Sequence, residues 1–198
     1  AKARCAMGID DDQPLIVSYW GSLGAREMNK KIAQFFACEA ADGLPFRHIH
    51  ACGSFGWRWM PEYVKAQGVE LTGQDKIELR EFIYDMPQVM AAADLVICRA
   101  GAATIAEVAA SGTPCIMIPS PNVTDNHQEK NARVLEARGA AAVLREAQCS
   151  GQVLYETAKS ILSDPARRRA MAMAAAQMAV VDSAEQICET ALELAQTR

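Results

Sequence analysis

DLVICRAGAATIAEVAASGTPCIMIPSPNVTDNHQEKNA, residues 94–132, strings strands, turns and helices together in the order of a nucleotide-binding α/β half-site. Residues 95–98 form a continuous apolar run without alternation, which predicts a parallel strand covered on both faces. The run stops at Arg99-Ala100-Gly101. Ala102, Ala103 and Thr104 beyond it are small, so a ligand can approach the N–H groups that a helix start leaves unpaired and positively polarised. That is a place for a phosphate. Thr104 and Glu107 also have the Thr-x-x-Glu spacing of a capping box, and spacing alone leaves Glu107 open between that local role and a ligand contact. The helix is expected to stop at Ser111-Gly112-Thr113-Pro114, with a second buried strand over 115–118. The loop 120–126 is rich in Pro, Asn, Thr and Asp, and opens a helix carrying His127, Gln128 and Asn131. Ligands of an open parallel sheet sit outside the carboxyl ends of its strands, where both polar loops lie.

Working outward, residues 15–19 read as a strand, Trp20-Gly21-Ser22-Leu23-Gly24 as a strand-to-helix turn, and 25–41 as a helix with Met28, Ile32, Phe35 and Phe36 at core spacing. Gly21 and Gly24 do not complete a G-x-G-x-x-G dinucleotide fingerprint, but they suit a phosphate-facing turn. Ser22 there has two readings, helix cap or diphosphate contact, and spacing favours the cap. A strand over 46–52 puts His48 and His50 on one face. With no third ligand nearby in sequence, a partly exposed strand face is the expectation rather than a metal pair. Residues 55–67 read as a helix interrupted by Pro61, its Trp57, Trp59 and Met60 serving a core or interface. A third strand follows over 77–82, then a helix over 86–93. A sixth short strand over 141–144 precedes three helices over 150–162, 165–180 and 183–196. Pro165 suits a first turn, Ser183 and Gln186 have capping-box spacing, and Arg167-Arg168-Arg169 reads as a solvated helix face.

Composition bounds the function. The chain has 198 residues, 51% of them hydrophobic, and a net charge of −4, which suits one globular domain with a substantial core. Mild acidity argues against a general nucleic-acid partner, which needs a concentrated basic face. Seven cysteines, at 5, 38, 52, 98, 115, 149 and 188, include no C-x-x-C pair. They read as reduced thiols of a cytosolic protein, with neither a disulfide frame nor a zinc site. No apolar run approaches bilayer length and no signal peptide is seen, so a soluble protein is expected. Residues 1–7 read as the tail of a helix whose start is missing, which suggests a fragment or an excised domain.

These stretches resemble the MurG family, bacterial UDP-N-acetylglucosamine transferases of glycosyltransferase family 28 that convert lipid I to lipid II. The resemblance rests on residues 94–132, on Gly21-Ser22-Leu23-Gly24-Ala25-Arg26 with Asn29, on Glu81-Phe82-Ile83-Tyr84-Asp85-Met86, and on Gly139-Ala140-Ala141. Together they cover nearly the whole chain in the family's order, with Trp20 standing where the family usually has Gly. The fold implied is α/β: a Rossmann-like parallel sheet of about six strands with helices on both faces, one half of a GT-B fold. The implied organisation is a single C-terminal donor-binding domain over 1–198, with a sheet core over 14–145 and C-terminal helices over 150–198.

By the same resemblance Glu107 accepts the two ribose hydroxyls, while Ser22 and the N–H groups at Ala103 and Thr104 hold the diphosphate. The Ile83 backbone reads the uracil edge, Met86 lines that pocket, and His127 and Gln128 contact the sugar hydroxyls. Gly21, Gly24 and Gly101 shape the loops. No catalytic residue, metal or cofactor is assigned to this chain. The donor is UDP-N-acetylglucosamine, and the acceptor, polyprenyl-linked lipid I, is met through an N-terminal domain that this chain lacks. The implied location is cytoplasmic, peripheral to the inner face of the cell membrane. Two alternatives stay open. One is a related GT-B enzyme, either a diacylglycerol glycosyltransferase or a UDP-N-acetylglucosamine epimerase. The other is a donor-binding subunit that acts with a separate partner chain.

Overall fold

The run Leu15–Tyr19 is buried at every position and forms β1, the strand about which the sheet turns. The protein is seen here as a computed structural model describing residues 2–9, 12–72 and 76–196. The other strands are β2 (Arg47–Ala51), β3 (Ile77–Arg80), β4 (Leu95–Cys98), β5 (Cys115–Met117) and β6 (Ala141–Val143). All neighbours pair in parallel, in the order β3-β2-β1-β4-β5-β6. β1 therefore pairs β2 on one side and β4 on the other, and Ser18 stands opposite both His50 and Ile97.

Parallel pairing needs crossovers, and ten α-helices are found among the described residues. They are α1 (Lys2–Ala6), α2 (Arg26–Ala41), α3 (Gly53–Trp57), α4 (Met60–Ala66), α5 (Met86–Ala92), α6 (Ala102–Ser111), α7 (His127–Ala137), α8 (Gly151–Leu162), α9 (Pro165–Ala176) and α10 (Ser183–Gln196). Two hydrophobic clusters follow from helices on both faces. One joins Ile16 and Leu95 to Met28, Phe35 and Phe36 of α2, Met60 of α4 and Leu154 of α8. The other joins Val17 and Cys98 to Val89 of α5, Val108 of α6, and Ala132 and Leu135 of α7. Each wholly buried Phe, Leu or Met contributes roughly 1.5–3 kcal/mol, so the sheet is fixed from both sides. The expected Rossmann-like sheet of about six strands is the sheet observed.

Several local expectations are corrected. The helix expected over 55–67 is two, α3 and α4, and Pro61 sits in the first turn of α4, where its missing N–H removes no helical bond. The helix expected over 165–180 ends at Ala176. Ser183 and Gln186 make no capping box, because Gln186 reaches back to the Asp182 carboxylate at 3.0 Å. His48 and His50 are wholly buried instead of partly exposed. Residue 1 of the expected helix tail lies outside the described residues. Ser150 does cap α8, accepting from the Val153 N–H at 3.1 Å. All seven cysteines are unpaired. Among the described residues no helix is long and apolar enough to cross a membrane.

Candidate functional site

The strand order reverses between β1 and β4, so the crevice beyond their carboxyl ends is the topological switch point of the sheet. Two long helices start there. α2 begins after Ala25 and α6 after Gly101, and neither N-cap residue gives a side-chain hydrogen bond to the first turn. Their leading N–H groups therefore point outward uncapped, with the positive ends of two helix dipoles at one edge. Gly101 has an ordinary extended conformation, and a Cβ there would meet only Thr104 Oγ1 at 4.0 Å. Its missing side chain matters as open space in front of α6. Thr104 is the third residue of α6, not its cap, so the Thr104–Glu107 capping box does not form. Ser22 does not cap α2 either.

The turn over 21–24 is fixed by backbone contact. Gly24 has φ +76°, and a Cβ there would lie 2.1 Å from the Cys52 carbonyl oxygen; Gly53 has φ +75°, and its Cβ would lie 2.2 Å from the Gly24 nitrogen. Only glycine fits either place. The Ser54 N–H donates to the Ser22 carbonyl at 3.1 Å and the Gly24 N–H to the Gly21 carbonyl at 3.1 Å.

Met86 at the start of α5 and Glu107 on α6 share one cavity of about 410 Å³, lined also by Pro87, Met90, Ala91, Ala110 and Ser111. Glu107 is exposed and has no hydrogen-bond partner among the described residues. Behind it Tyr19 is buried with its hydroxyl unpaired. Burial first, and the nearby Cys98 and Glu107 second, hold that phenol well above its usual range. Ile83 lies half-buried in the turn after β3 and is not part of this cavity.

The third group of residues follows β5. The Gln128 side-chain oxygen accepts from the Ala100 N–H at 3.3 Å and the Ser120 N–H at 3.0 Å, so this side chain ties the loop after β4 to the loop after β5. His127 is exposed, and its Nδ1–H donates to the Thr124 carbonyl at 3.0 Å. Just before it Asp125 and Asn126 have φ of 55° and 51°. Glu129, in the first turn of α7, is held down to about 2 by hydrogen bonds from Asn126 and Arg145, with Arg133 adding to them.

Residues 16–187 match the C-terminal domain of glycosyltransferase family 28. The chain belongs to that family. A curated relative from Acetivibrio thermocellus, named UDP-N-acetylglucosamine--N-acetylmuramyl-(pentapeptide) pyrophosphoryl-undecaprenol N-acetylglucosamine transferase, is 38% identical over 187 residues, 94% of this chain and 49% of the relative. A relative of the same name from Listeria monocytogenes is 38% identical over 189 residues, 96% of this chain and 50% of the relative. The crystal structure of Acinetobacter baumannii MurG superposes with a TM-score of 0.77 at 29% identity, covering 91% of this chain and 52% of that one. The chain spans about half the length of the curated relatives it matches.

In this family 28 domain, then, the turn with Gly21, Ser22 and Gly24 and the α6 start with Ala103 and Thr104 follow neighbouring strands, β1 and β4. Sequence reasoning missed Arg99. Its guanidinium donates to the Ile118 and Pro119 carbonyls at 3.1 and 3.3 Å, pairs with Glu146 at 2.6 Å and lies 5.8 Å above the Trp20 ring. One cation thus holds three loops of the same edge. A lone charged residue directly after a buried strand is the signal that marks it.

Proposed function

We propose that this domain binds UDP-N-acetylglucosamine across the β1/β4 crevice, as the donor half of a transferase that moves the sugar to polyprenyl-linked lipid I and so forms lipid II. The observation that carries this reading is the pair of long helices, α2 and α6, that start uncapped side by side at the switch point. A diphosphate brings the charge and acceptor oxygens that such a pair of starts lacks. Ser22 and the N–H groups of Ala103 and Thr104 hold it. Glu107, unpaired at the mouth of the cavity that Met86 lines, accepts both ribose hydroxyls, since one carboxylate has lone pairs for two donors. The Ile83 backbone reads the uracil edge, and His127 and Gln128 take the sugar hydroxyls.

The chemistry asked of this half is leaving-group stabilisation. As the bond from the sugar to the diphosphate breaks, negative charge grows on the departing UDP, and the helix starts are already oriented toward it. The acceptor half supplies the rest of the site, and the whole protein works at the inner face of the cell membrane as a peripheral enzyme.

Calorimetric titration with UDP tests the reading through Glu107→Ala. Hydrogen bonds to a charged acceptor contribute roughly 1.5–3 kcal/mol each. Taking about 2–3 kcal/mol for the non-additive pair, UDP binds the variant some ~30–150-fold more weakly, at ten-fold per 1.4 kcal/mol. A UDP analogue without the ribose hydroxyls binds both proteins nearly equally. Equal losses for UDP and for the analogue refute the ribose role, and no binding of UDP to the unaltered chain refutes the donor reading itself.

A further inference from the structure

A chain of polar side chains crosses the hydrophobic core directly beneath the 21–24 turn. Ser18 of β1, Asn29 and Glu39 of α2, and His48 and His50 of β2 are all essentially inaccessible to solvent. Glu39 Oε2 lies 3.3 Å from His48 Nδ1, and His48 Nε2 lies 2.8 Å from Ser18 Oγ. The same Ser18 oxygen is 2.7 Å from His50 Nδ1, and His50 Nε2 is 3.2 Å from Asn29 Oδ1. Asn29 Nδ2 ends the series, 2.8 Å from the Cys52 carbonyl.

The far end fixes the direction of every bond. A carbonyl only accepts, so Asn29 must present its NH2 to Cys52 and its oxygen to His50; the flipped amide would set two acceptors face to face. His50 then donates from Nε2 and accepts at Nδ1. Ser18 must donate its single proton to His50 and accept from His48, so His48 carries its proton on Nε2. What remains is the contact of His48 Nδ1 with Glu39, which needs one proton between two groups. An ion pair would put two charges in the core on one contact at 3.3 Å, with Glu39 Oε1 buried and unpartnered and the Phe35 and Phe36 rings near-perpendicular to the imidazole. Desolvation of two such ions exceeds what one contact returns. Burial pushes the Glu39 carboxyl well above its usual range and His48 down to about 3. Burial, with the neighbouring His48 ring, also lowers His50, against a small opposing effect of the Ser18 backbone. The titratable neighbours that feel Glu39 are Cys38 on α2 and Tyr155 on α8, and both are held above their ordinary values by burial, so they stay neutral.

We infer that Glu39 is a neutral carboxylic acid donating into a one-way chain of five hydrogen bonds, and that Glu39, His48, Ser18, His50 and Asn29 are positioning residues for the 21–24 turn. The link to the turn is direct. The Cys52 carbonyl that ends the chain is the atom a Gly24 side chain would strike, and a Gly56 side chain would meet Asn29 Nδ2 at 2.4 Å. Cys52 and Gly53 lead into Ser54, whose N–H holds the Ser22 carbonyl. Fixing Cys52 therefore fixes the surface on which the turn rests.

Nitrogen-15 NMR of the full chain reads the chain without any ligand. Both rings should be neutral and protonated on Nε2, with no titration between about pH 5.5 and 8, where an ordinary histidine changes charge. An imidazolium at His48, or an Nδ1–H on either ring, overturns the assignment. Amide exchange then reads the positioning role. In Glu39→Leu the Ser54 N–H should exchange about ten-fold faster, the factor expected for one lost hydrogen bond of about 1.4 kcal/mol. Glu39→Gln, whose NH2 can donate to His48, should restore the slow rate. Unchanged Ser54 protection in Glu39→Leu, or no rescue by Glu39→Gln, overturns it. The role of the turn in holding a diphosphate rests on the donor-binding reading, which a UDP titration of the unaltered chain decides separately.

Discussion

Behind β1 and β2 the 21–24 turn rests on Cys52 and Gly53 with no side chain between them, above a fully buried polar chain. Beyond β5 the loop over 120–127 is largely exposed, bends through Asp125 and Asn126 at positive φ, and is tied down by the Gln128 amide and by the ion pairs of Glu129. On the proposed donor reading, a diphosphate presents the same geometry whatever sugar follows it, so its cradle can be rigid and built from backbone. On the same reading, a sugar differs from its epimers by the direction of single hydroxyls, a task that suits side chains.

Gly24→Ala breaks the rigid half most. Its Cβ must displace a backbone carbonyl, and its φ is one that alanine resists, so a loss of about 3 kcal/mol in urea unfolding is expected. Gly21→Ala is the comparison. Gly21 also has positive φ, +86°, but open space around it, so only the conformational term of about 1 kcal/mol remains. Equal losses would mean the contact with Cys52 contributes nothing. In the half built from side chains, Gln128→Ala strands the Ala100 and Ser120 N–H groups, which water can partly serve, and should lose about 1–2 kcal/mol. Its affinity for UDP-N-acetylglucosamine should fall further than its affinity for UDP, by paired titrations; equal falls would make Gln128 a tie and not a sugar contact.

Acid gives the smallest effect. Glu129 has its folded value depressed to about 2, so its contribution is complete above the ordinary carboxylate range and is lost as pH falls through about 2. NMR shifts of Asn126 and Arg145 should move in that window while those of Ser54 stay still. Movement of Ser54 over the same range would erase the contrast.

The sheet is readable because β4 is an unbroken apolar run and β1 one interrupted by Ser18 alone, and because turns such as 21–24 and 111–114 carry glycine where the helix must start or stop. The polar chain is not, for its members lie on α2, β1 and β2 and meet only through register, Ser18 opposite His50. A trace of it is present. Ser18 is the polar residue in the otherwise hydrophobic LIVSY, and a strand buried on both faces leaves such a hydroxyl no water to bond. Glu107 shows the reverse difficulty. Its spacing from Thr104 fits a cap, yet the N-cap of α6 lies three residues earlier, at Gly101, which has the extended backbone of that position. The family resemblance points to Gln128 as a sugar contact, and its ties to Ala100 and Ser120 depend on two loops that sequence cannot bring together.

On the proposed donor reading, the two uncapped helix starts also couple occupancy to the folded state. Whatever anion fills them binds the native protein and not the unfolded chain, so its concentration enters the melting curve. At one hundred times its dissociation constant a ligand adds about 2.7 kcal/mol to the native state, and for a domain of this size each kcal/mol moves the midpoint by about 2–4 °C. Purified samples that retain nucleotide and samples stripped of it would then differ in apparent heat resistance with no change of sequence, and phosphate buffer would register as a weak stabiliser by the same mass action.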